Sequence, residues 1–437
     1  MNIIYVHTHD TGRFIEPYGH GIPTPHLQQM AEEGTLFRQA YNVGPTCSPS
    51  RAGLVTGLCA HSSGMIGLAH RGFALNDYSQ HIAQYLSSKG FETVLSGVQH
   101  EASYERIDEL GYNIRLEKEE IPTPENGDKA NANAVAQYLK TYDSKKPFFL
   151  SFGMFSTHRP YPAADESVNP NYTQPPSPMH DNADTRQDMA DFITMAKCAD
   201  DCVGTVLAAV KDANLENDTF IFFTTDHGIA FPKMKCNLYD TGIGVSLIVK
   251  YPGNPTAGQA IDSLVSHVDI FPTLCDIAGV ERPDWLEGKS MLPLLQGETD
   301  KIRDEIFSEV TYHAAYEPKR CIRTERYKLI RYYDDYSSLV LPNMDDGLSK
   351  QFLLKHGLEE MDRTADEMLF DLYHDPMERE NLIGNPKYKD IHDDLSKRLL
   401  NWMTETNDPL LDGYVPKPDG AFANRKDALH PGLEDME

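Results

Sequence analysis

Basic residues are scarce in this chain. Lysine and arginine number 40 against 66 aspartates and glutamates, a formal net charge of −26. That balance argues against nucleic-acid binding and against docking on anionic membranes. It does not exclude an anionic substrate, because a small cationic pocket can work inside an acidic envelope. Cysteine is sparse too: seven residues, an odd number without regular spacing, give no disulfide framework. Cys198 and Cys202, four apart in a helical pattern, share a helix face and are not expected to bind a metal. No apolar run is long enough to span a bilayer. The opening residues, Met1 to Val6, run straight into a strand-like segment without a basic region, an apolar stretch or a cleavage site. The expected location is therefore cytoplasmic, although a removed leader would leave the same start. Internal repeats and low-complexity tracts are also lacking.

What is present is an alternation of strands and helices. The 437 residues suit two or three domains, or one large α/β domain with an addition. Ile3 to Val6, Thr93 to Leu95, Phe148 to Phe152, Phe220 to Thr224 and Val245 to Val249 read as buried strands. Helical patterns run over Pro25 to Glu33, with Thr24 as N-cap and Pro25 in the first turn, and over about Thr185 to Asp212. The alternation predicts an α/β fold around a largely parallel sheet, with functional groups in loops at the strand carboxyl ends. Tyr161 to Asp184, rich in Pro, Asn, Asp and Ser, reads as a long surface excursion and a candidate pocket rim. After about Ile302 the texture changes to short strands followed by a helix from about Tyr388 to Thr404. The residues from about Ala421 are polar and expected to be extended.

The run Cys47-Ser48-Pro49-Ser50-Arg51-Ala52-Gly53-Leu54-Val55-Thr56-Gly57 carries the chemistry. Proline is favoured in the first helical turn, so Cys47 is expected at a helix N-terminus. There the free N–H groups and the helix dipole would favour an anion and depress a thiol pKa. Arg51, one turn on, can return to the same point and present a permanent charge to an oxyanion.

This run resembles the signature of the type I sulfatases, Cys-x-Pro-Ser-Arg followed by Leu-x-Thr-Gly. The likeness extends from Asn2 to about Gly420 and is nearest to the heparan N-sulfatase (sulfamidase) branch, through Gly64 to Leu68, Asp226 to Tyr239 and Trp402 to Gly420. The resemblance implies an alkaline-phosphatase-like fold: a mostly parallel central sheet flanked by helices, with a smaller C-terminal α+β subdomain. The expected division is a catalytic α/β domain over residues 1–301, and over 302–437 a subdomain with a small antiparallel sheet and a helix. It further implies that Cys47 is oxidised to formylglycine by a maturase and that one divalent metal ion, Ca²⁺ or Mn²⁺ or another transition metal, is bound.

The implied metal ligands are His9, Asp10, Cys47, Asp226 and His227. His9 stands where the family has an aspartate, and imidazole favours transition metals over Ca²⁺. His7, on the same strand face as His9, is expected to pack or support. The implied catalytic set is Cys47, Arg51, His100, His158 and Lys235. Val98 replaces a lysine that the family carries in Gly-Lys-x-His. His313 and Arg323 are candidates for the pocket rim. The implied reaction is hydrolysis of a sulfate ester or sulfamate on a sulfated sugar such as N- or O-sulfated glucosamine, as in glycosaminoglycan degradation; a homo-oligomer stays open. Two alternatives stand beside it. One is a phosphodiesterase or phosphonate monoester hydrolase of the same superfamily. The other is a non-catalytic binder of sulfated glycans, which His9 and Val98 keep open.

Overall fold

The computed structural model describes residues 1–116, 124–143, 145–432 and 436. Ten short strands come first in the chain: β1 (Asn2–Thr8), β2 (Thr35–Phe37), β3 (Ala40–Tyr41), β4 (Glu92–Gly97), β5 (Ile114–Arg115), β6 (Phe148–Gly153), β7 (Thr219–Thr225), β8 (Leu247–Lys250), β9 (Gln259–Ile261) and β10 (Val265–Ser266). Eight of them form one sheet in the order β5-β4-β6-β1-β7-β8-β2-β9, while β3 pairs with β10 and bridges Gly244 through Tyr41. Every pairing from β5 through to β7 is parallel. β8 runs antiparallel to both of its neighbours.

The central strands are apolar on both faces because both faces are covered. Ile3 and Tyr5 of β1 enter one core, Ile4 and Val6 the other. The same alternation sends Phe220 and Phe222 one way, Ile221 and Phe223 the other. One core is closed by helices Pro25–Glu33, Pro124–Thr141 and Ala183–Asp212. The opposite core is closed by Cys47–Thr56, Ile82–Ser88 and Ile270–Ala278.

A second sheet, β11 (Glu305–Tyr312), β12 (Tyr316–Thr324), β13 (Tyr327–Tyr332) and β14 (Glu367–Asp371), is antiparallel throughout. The Lys389–Glu405 helix packs on it through Leu395, Leu399 and Met403. A shared apolar cluster joins this sheet to the first part of the chain: Ala52, Met65 and Phe73 meet Tyr312, Ile322 and Leu329.

Local details depart from the sequence reading. Thr24 precedes the Pro25 helix but makes no side-chain cap; its hydroxyl instead accepts from the Glu16 N–H at 2.9 Å, fastening the preceding turn. The described tail residues, 421–432, are docked on the rest of the chain: the Asn424 N–H donates to the Ala314 carbonyl, Arg71 donates to Asn424, and Ala423 and Ala428 are buried. The Tyr161–Asp184 excursion contains only a 3-10 turn at Pro170–Tyr172 and lies along the Ala183–Asp212 helix, with Ala164 N–H held by Asp191.

Candidate active site

Four neighbouring parallel strands end at the same sheet edge, and each delivers a functional side chain there. β4 leads to His100, β6 to His158, β1 to His9 and Asp10, and β7 to Asp226 and His227. The Cys47–Thr56 helix starts beside this edge. Its close seat explains two residues of the motif. The Ser50 hydroxyl donates to the Asp226 carbonyl, pinning the end of β7. A Cβ on Gly53 would fall 2.3 Å from Val43 Cγ2, so only glycine lets the helix pack so tightly. Gly57 then ends the helix in the left-handed region, φ 70°, which glycine adopts at little cost.

His9, Asp10, Cys47 and Asp226 each offer a ligand atom, all within 4.8 Å of one another and all buried. Both nitrogens of His9 and Oδ1 of Asp10 have no hydrogen-bond partner. His9 Nδ1 nevertheless lies 3.1 Å from Asp226 Oδ2. Buried polar atoms crowded together yet unpaired are what donors aimed at a common cation look like. The residues therefore fit a divalent metal.

His227 sits at the margin of this group, with Nε2 at 3.3 Å from Asp10 Oδ1 and 3.5 Å from Cys47 Sγ. Its Nδ1 faces the Gly228 carbonyl at 2.9 Å. A carbonyl only accepts, so Nδ1 carries the proton and Nε2 presents its lone pair to the site.

Charge is balanced from below. Arg51 donates through Nη2 to Asp226 Oδ2 at 2.9 Å and to the Thr8 carbonyl at 2.9 Å, and through Nη1 to His7 Nδ1 at 2.6 Å. His7 thus accepts at Nδ1 and donates from Nε2 to Ser151 Oγ at 3.1 Å. The guanidinium expected to meet an oxyanion is committed to these partners, with only Nε left unpaired. Burial opposes ionisation of Asp226, but the Arg51 guanidinium beside it overcomes this and holds its carboxyl well below the usual range. Burial, with Arg51 beside it, keeps His9 neutral and so available as a donor.

The Cys47 thiol corrects the sequence reading. Burial pushes its pKa up, and the nearby carboxylates Asp10 and Asp226 add to this, against Lys235 and Arg51. The helix N-terminus does not prevail, because the side chain is 4% exposed and faces acidic groups. As a plain thiol, Cys47 is a poor nucleophile.

His100 follows β4 with φ 58° and lies edge-on to His9, ring centroids 4.5 Å apart. Burial, then Arg51, His158 and His70, lower its pKa to about 3. His158 lies nearer the surface; its Nδ1 donates to the Arg159 carbonyl at 2.5 Å, leaving Nε2 free. Lys235 Nζ is held between Asp10 Oδ2 at 2.9 Å and Asp345 Oδ2 at 2.8 Å. His313 is buried close to Lys235, which together with burial depresses its pKa. Arg323 is not part of the rim. It pairs with Asp240 at 3.1 Å and lies over the Tyr41 ring, in a separate buried cluster.

Two neighbours were missed in the sequence. Asp345 precedes the Leu348–Leu354 helix in a loop with no motif to mark it. His70 is exposed, its ring 6.3 Å from that of His100. No local signal marks either residue; a search for charged residues just beyond the Cys47 motif would have reached His70 alone.

Fold and site together give a carboxylate-and-imidazole cradle at the carboxyl edge of a parallel sheet, beside a residue at a helix start. The sulfatase family profile matches residues 1–280, and a second profile, N-sulphoglucosamine sulphohydrolase C-terminal, matches residues 228–347. The N-sulphoglucosamine sulphohydrolase of Homo sapiens is 28% identical over 463 residues, covering 92% of this chain and 89% of its own. An ulvan-active sulfatase of Formosa agariphila is 27% identical over 408 residues, covering 91% and 78%. Among solved structures, BT4656 in complex with its substrate D-glucosamine-2-N,6-O-disulfate superposes with TM-score 0.74 at 19% identity, over 95% of this chain and 99% of that one. The phosphonate monoester hydrolase of Agrobacterium radiobacter gives TM-score 0.73 at 19% identity, over 96% and 98%. At such identities the structures show the fold alone. The chain belongs to the sulfatase family, and the protein is an enzyme of the sulfuric ester hydrolase class.

Proposed function

We propose that the protein hydrolyses a sulfate ester or sulfamate on a sulfated sugar, such as N- or O-sulfated glucosamine, with Cys47 matured to formylglycine and one divalent metal ion bound. The observation that carries this reading is the buried convergence of His9, Asp10, Cys47 and Asp226 within 4.8 Å in a chain bearing the Cys47 to Gly57 motif. The likeness to the human N-sulphoglucosamine sulphohydrolase supports the amino-sugar substrate.

His9, Asp10, Asp226 and residue 47 would hold the metal, with His227 Nε2 beside them. A divalent cation there supplies Lewis-acid charge for the sulfuryl oxygens. Formylglycine supplies a hydrated aldehyde, two hydroxyls on one carbon, which neither thiol nor alcohol offers. The rest falls to the chain. Arg51 keeps Asp226 ionised and fixes His7. His158, oriented by its Nδ1 bond, carries a proton on Nε2 to the leaving oxygen or nitrogen. His100, neutral and half-buried, takes a proton at residue 47. Lys235 places a fixed positive charge beside Asp10. The burial of Arg51, His7, Asp226 and Lys235 excludes water around them and strengthens their electrostatics.

The test is peptide mass spectrometry across Cys47, on protein from its own host, followed by assay on N- and O-sulfated glucosamines. Formylglycine and sulfate release are expected. An unmodified thiol in active protein would overturn the mechanism. One observation favours a second reading, phosphoryl or phosphonyl ester hydrolysis: the fold matches the phosphonate monoester hydrolase as closely as it matches BT4656. Faster turnover of a phosphonate monoester than of any sulfated sugar would establish it.

A further inference from the structure

Unpaired buried polar atoms continue beyond the metal cradle. His313 Nδ1 also lacks a hydrogen-bond partner among the described residues, and Asp345 Oδ2 has only the Lys235 ammonium, at 2.8 Å; both residues belong to the part of the chain after the large sheet. They gather at Lys235. Its ammonium bridges Asp10 on one side and Asp345 on the other, so a single Nζ separates the cradle from the Asp345 carboxylate. His313 lies 5% exposed beside the same pair.

The loop carrying Asp345 is built to hold it there. Lys350 Nζ, 1% exposed on its side chain, donates to the carbonyls of Leu341 at 3.1 Å, Met344 at 2.8 Å and Leu429 at 2.7 Å, and pairs with Asp346 at 2.8 Å. Asn343, two residues earlier, accepts from the Ala315 N–H at 2.8 Å, which ties the loop to the turn after His313. On its far side the Ser349 N–H donates to Asp188, whose carboxylate also clamps Arg159 next to His158. A buried lysine spent on three carbonyls is costly unless the loop geometry matters. These ties fix an anionic oxygen and an imidazole nitrogen beside Lys235, and Asp345 also feels His158, the residue that serves the leaving group in the proposed function.

Resting on the amino-sugar sulfatase reading, we infer that Asp345 and His313 form a subsite that orients the sugar. They accept hydrogen bonds from a hydroxyl or amino group next to the scissile substituent and disfavour a second sulfate there. A hydroxyl or amino group next to the scissile substituent must come close to the groups that surround the leaving atom, and in the proposed function those include Lys235 and its neighbours. A carboxylate accepts from such a donor strongly and repels an anion. Both residues are substrate-orienting; neither meets the reacting sulfur.

The experiment compares wild-type enzyme with Asp345→Asn using two probes. N-sulfoglucosamine presents vicinal hydroxyls, and p-nitrophenyl sulfate has none. The expected result is that Asp345→Asn lowers the ratio of kcat/KM for the sugar over the aryl sulfate by at least about tenfold, mainly through a higher KM for the sugar. A merely structural role, or one exerted only through Lys235, would lower both substrates together and leave the ratio unchanged; that result overturns the inference. Where Asp345→Asn does not fold, His313→Gln decides by the same ratio. Wild-type enzyme that splits the aryl sulfate but not N-sulfoglucosamine overturns the subsite while leaving a sulfatase. Hydrolysis of neither probe overturns both.

Discussion

His9 shows how far one residue can move a site. In place of a carboxylate it brings a neutral, fully buried imidazole with both nitrogens unpaired, 3.1 Å from Asp226. With His227 Nε2 also turned inward, the donor set mixes nitrogen with oxygen. Such a set suits Mn²⁺ or Zn²⁺ better than Ca²⁺, which prefers oxygen alone. Wild-type protein is therefore expected to gain more melting temperature from Mn²⁺ than from Ca²⁺ at equal free concentration. His9→Asp should reverse that order. Equal or greater stabilisation of the wild type by Ca²⁺ would refute the argument. Cys47 makes a related point. Burial beside two carboxylates raises its thiol pKa, against what a helix N-terminus alone would do. The motif around Cys47 was legible because its chemistry is local. The direction of the thiol shift was not, because it comes from Asp10 and Asp226, distant in sequence.

Strand ends form the next level. β4 and β6 approach so closely that a Cβ on Gly97 would lie 2.1 Å from the Gly153 carbonyl, and Gly97 sits at φ 79°. Gly153 is as restricted, since a Cβ there would lie 1.9 Å from the Val98 carbonyl and 2.5 Å from the His7 ring. These two glycines let the loops carrying His100 and His158 leave the sheet beside His9. Gly97→Ala is expected to cost about 1–3 kcal/mol from overpacking, with the φ penalty added. Chemical denaturation would measure the loss, and the activity of the folded fraction should fall as His100 shifts. Unchanged stability would show that the loop yields more easily than its geometry implies. The strands themselves were readable as apolar runs. Their spatial order, β4-β6-β1-β7, was not, because the order depends on which strands pair, and pairing has no signature in a single strand.

At the scale of the whole molecule, the antiparallel sheet is joined to the first part of the chain by buried charge as well as by apolar contact. Arg320 on β12 forms a bidentate pair with Asp408 and lies 3.1 Å from Glu309 on β11. Glu309 in turn receives His61 at 2.9 Å, from the short Ala60–Ser63 helix just beyond the Cys47 motif. Burial opposes both ionisations, yet His61 and Arg320 hold the Glu309 carboxyl down, and Glu309 holds the His61 pKa up. The depressed carboxyl contributes stability that is present above its ordinary value and lost as pH falls through its folded value. The raised histidine contributes stability that is full below its ordinary value and lost as pH rises through its folded value. The junction is therefore strongest in the mildly acidic range between those two ordinary values. Thermal melts should show the wild type losing more stability than His61→Asn between about pH 6 and pH 9. Glu309→Gln, which leaves Arg320 and His61 short of a buried partner, should cost about 3 kcal/mol at neutral pH. Parallel pH profiles for wild type and His61→Asn would remove His61 from this role.

The sequence by itself determined the class of fold, the helix that starts at Cys47 and, through its likeness to the sulfatase motifs, which strand-end residues to look at: His9, Asp10, His100, His158, Asp226 and His227. The first two follow from apolar periodicity and from a contiguous motif, both short-range signals. Tertiary structure alone decided how the groups are wired. It gave the Arg51 guanidinium to Asp226, Thr8 and His7, removed Arg323 to Asp240, and brought Asp345 to Lys235 from 110 residues away. Charge pairing acts through space between segments that share no local pattern, so only the folded chain can reveal which partner each buried charge has found.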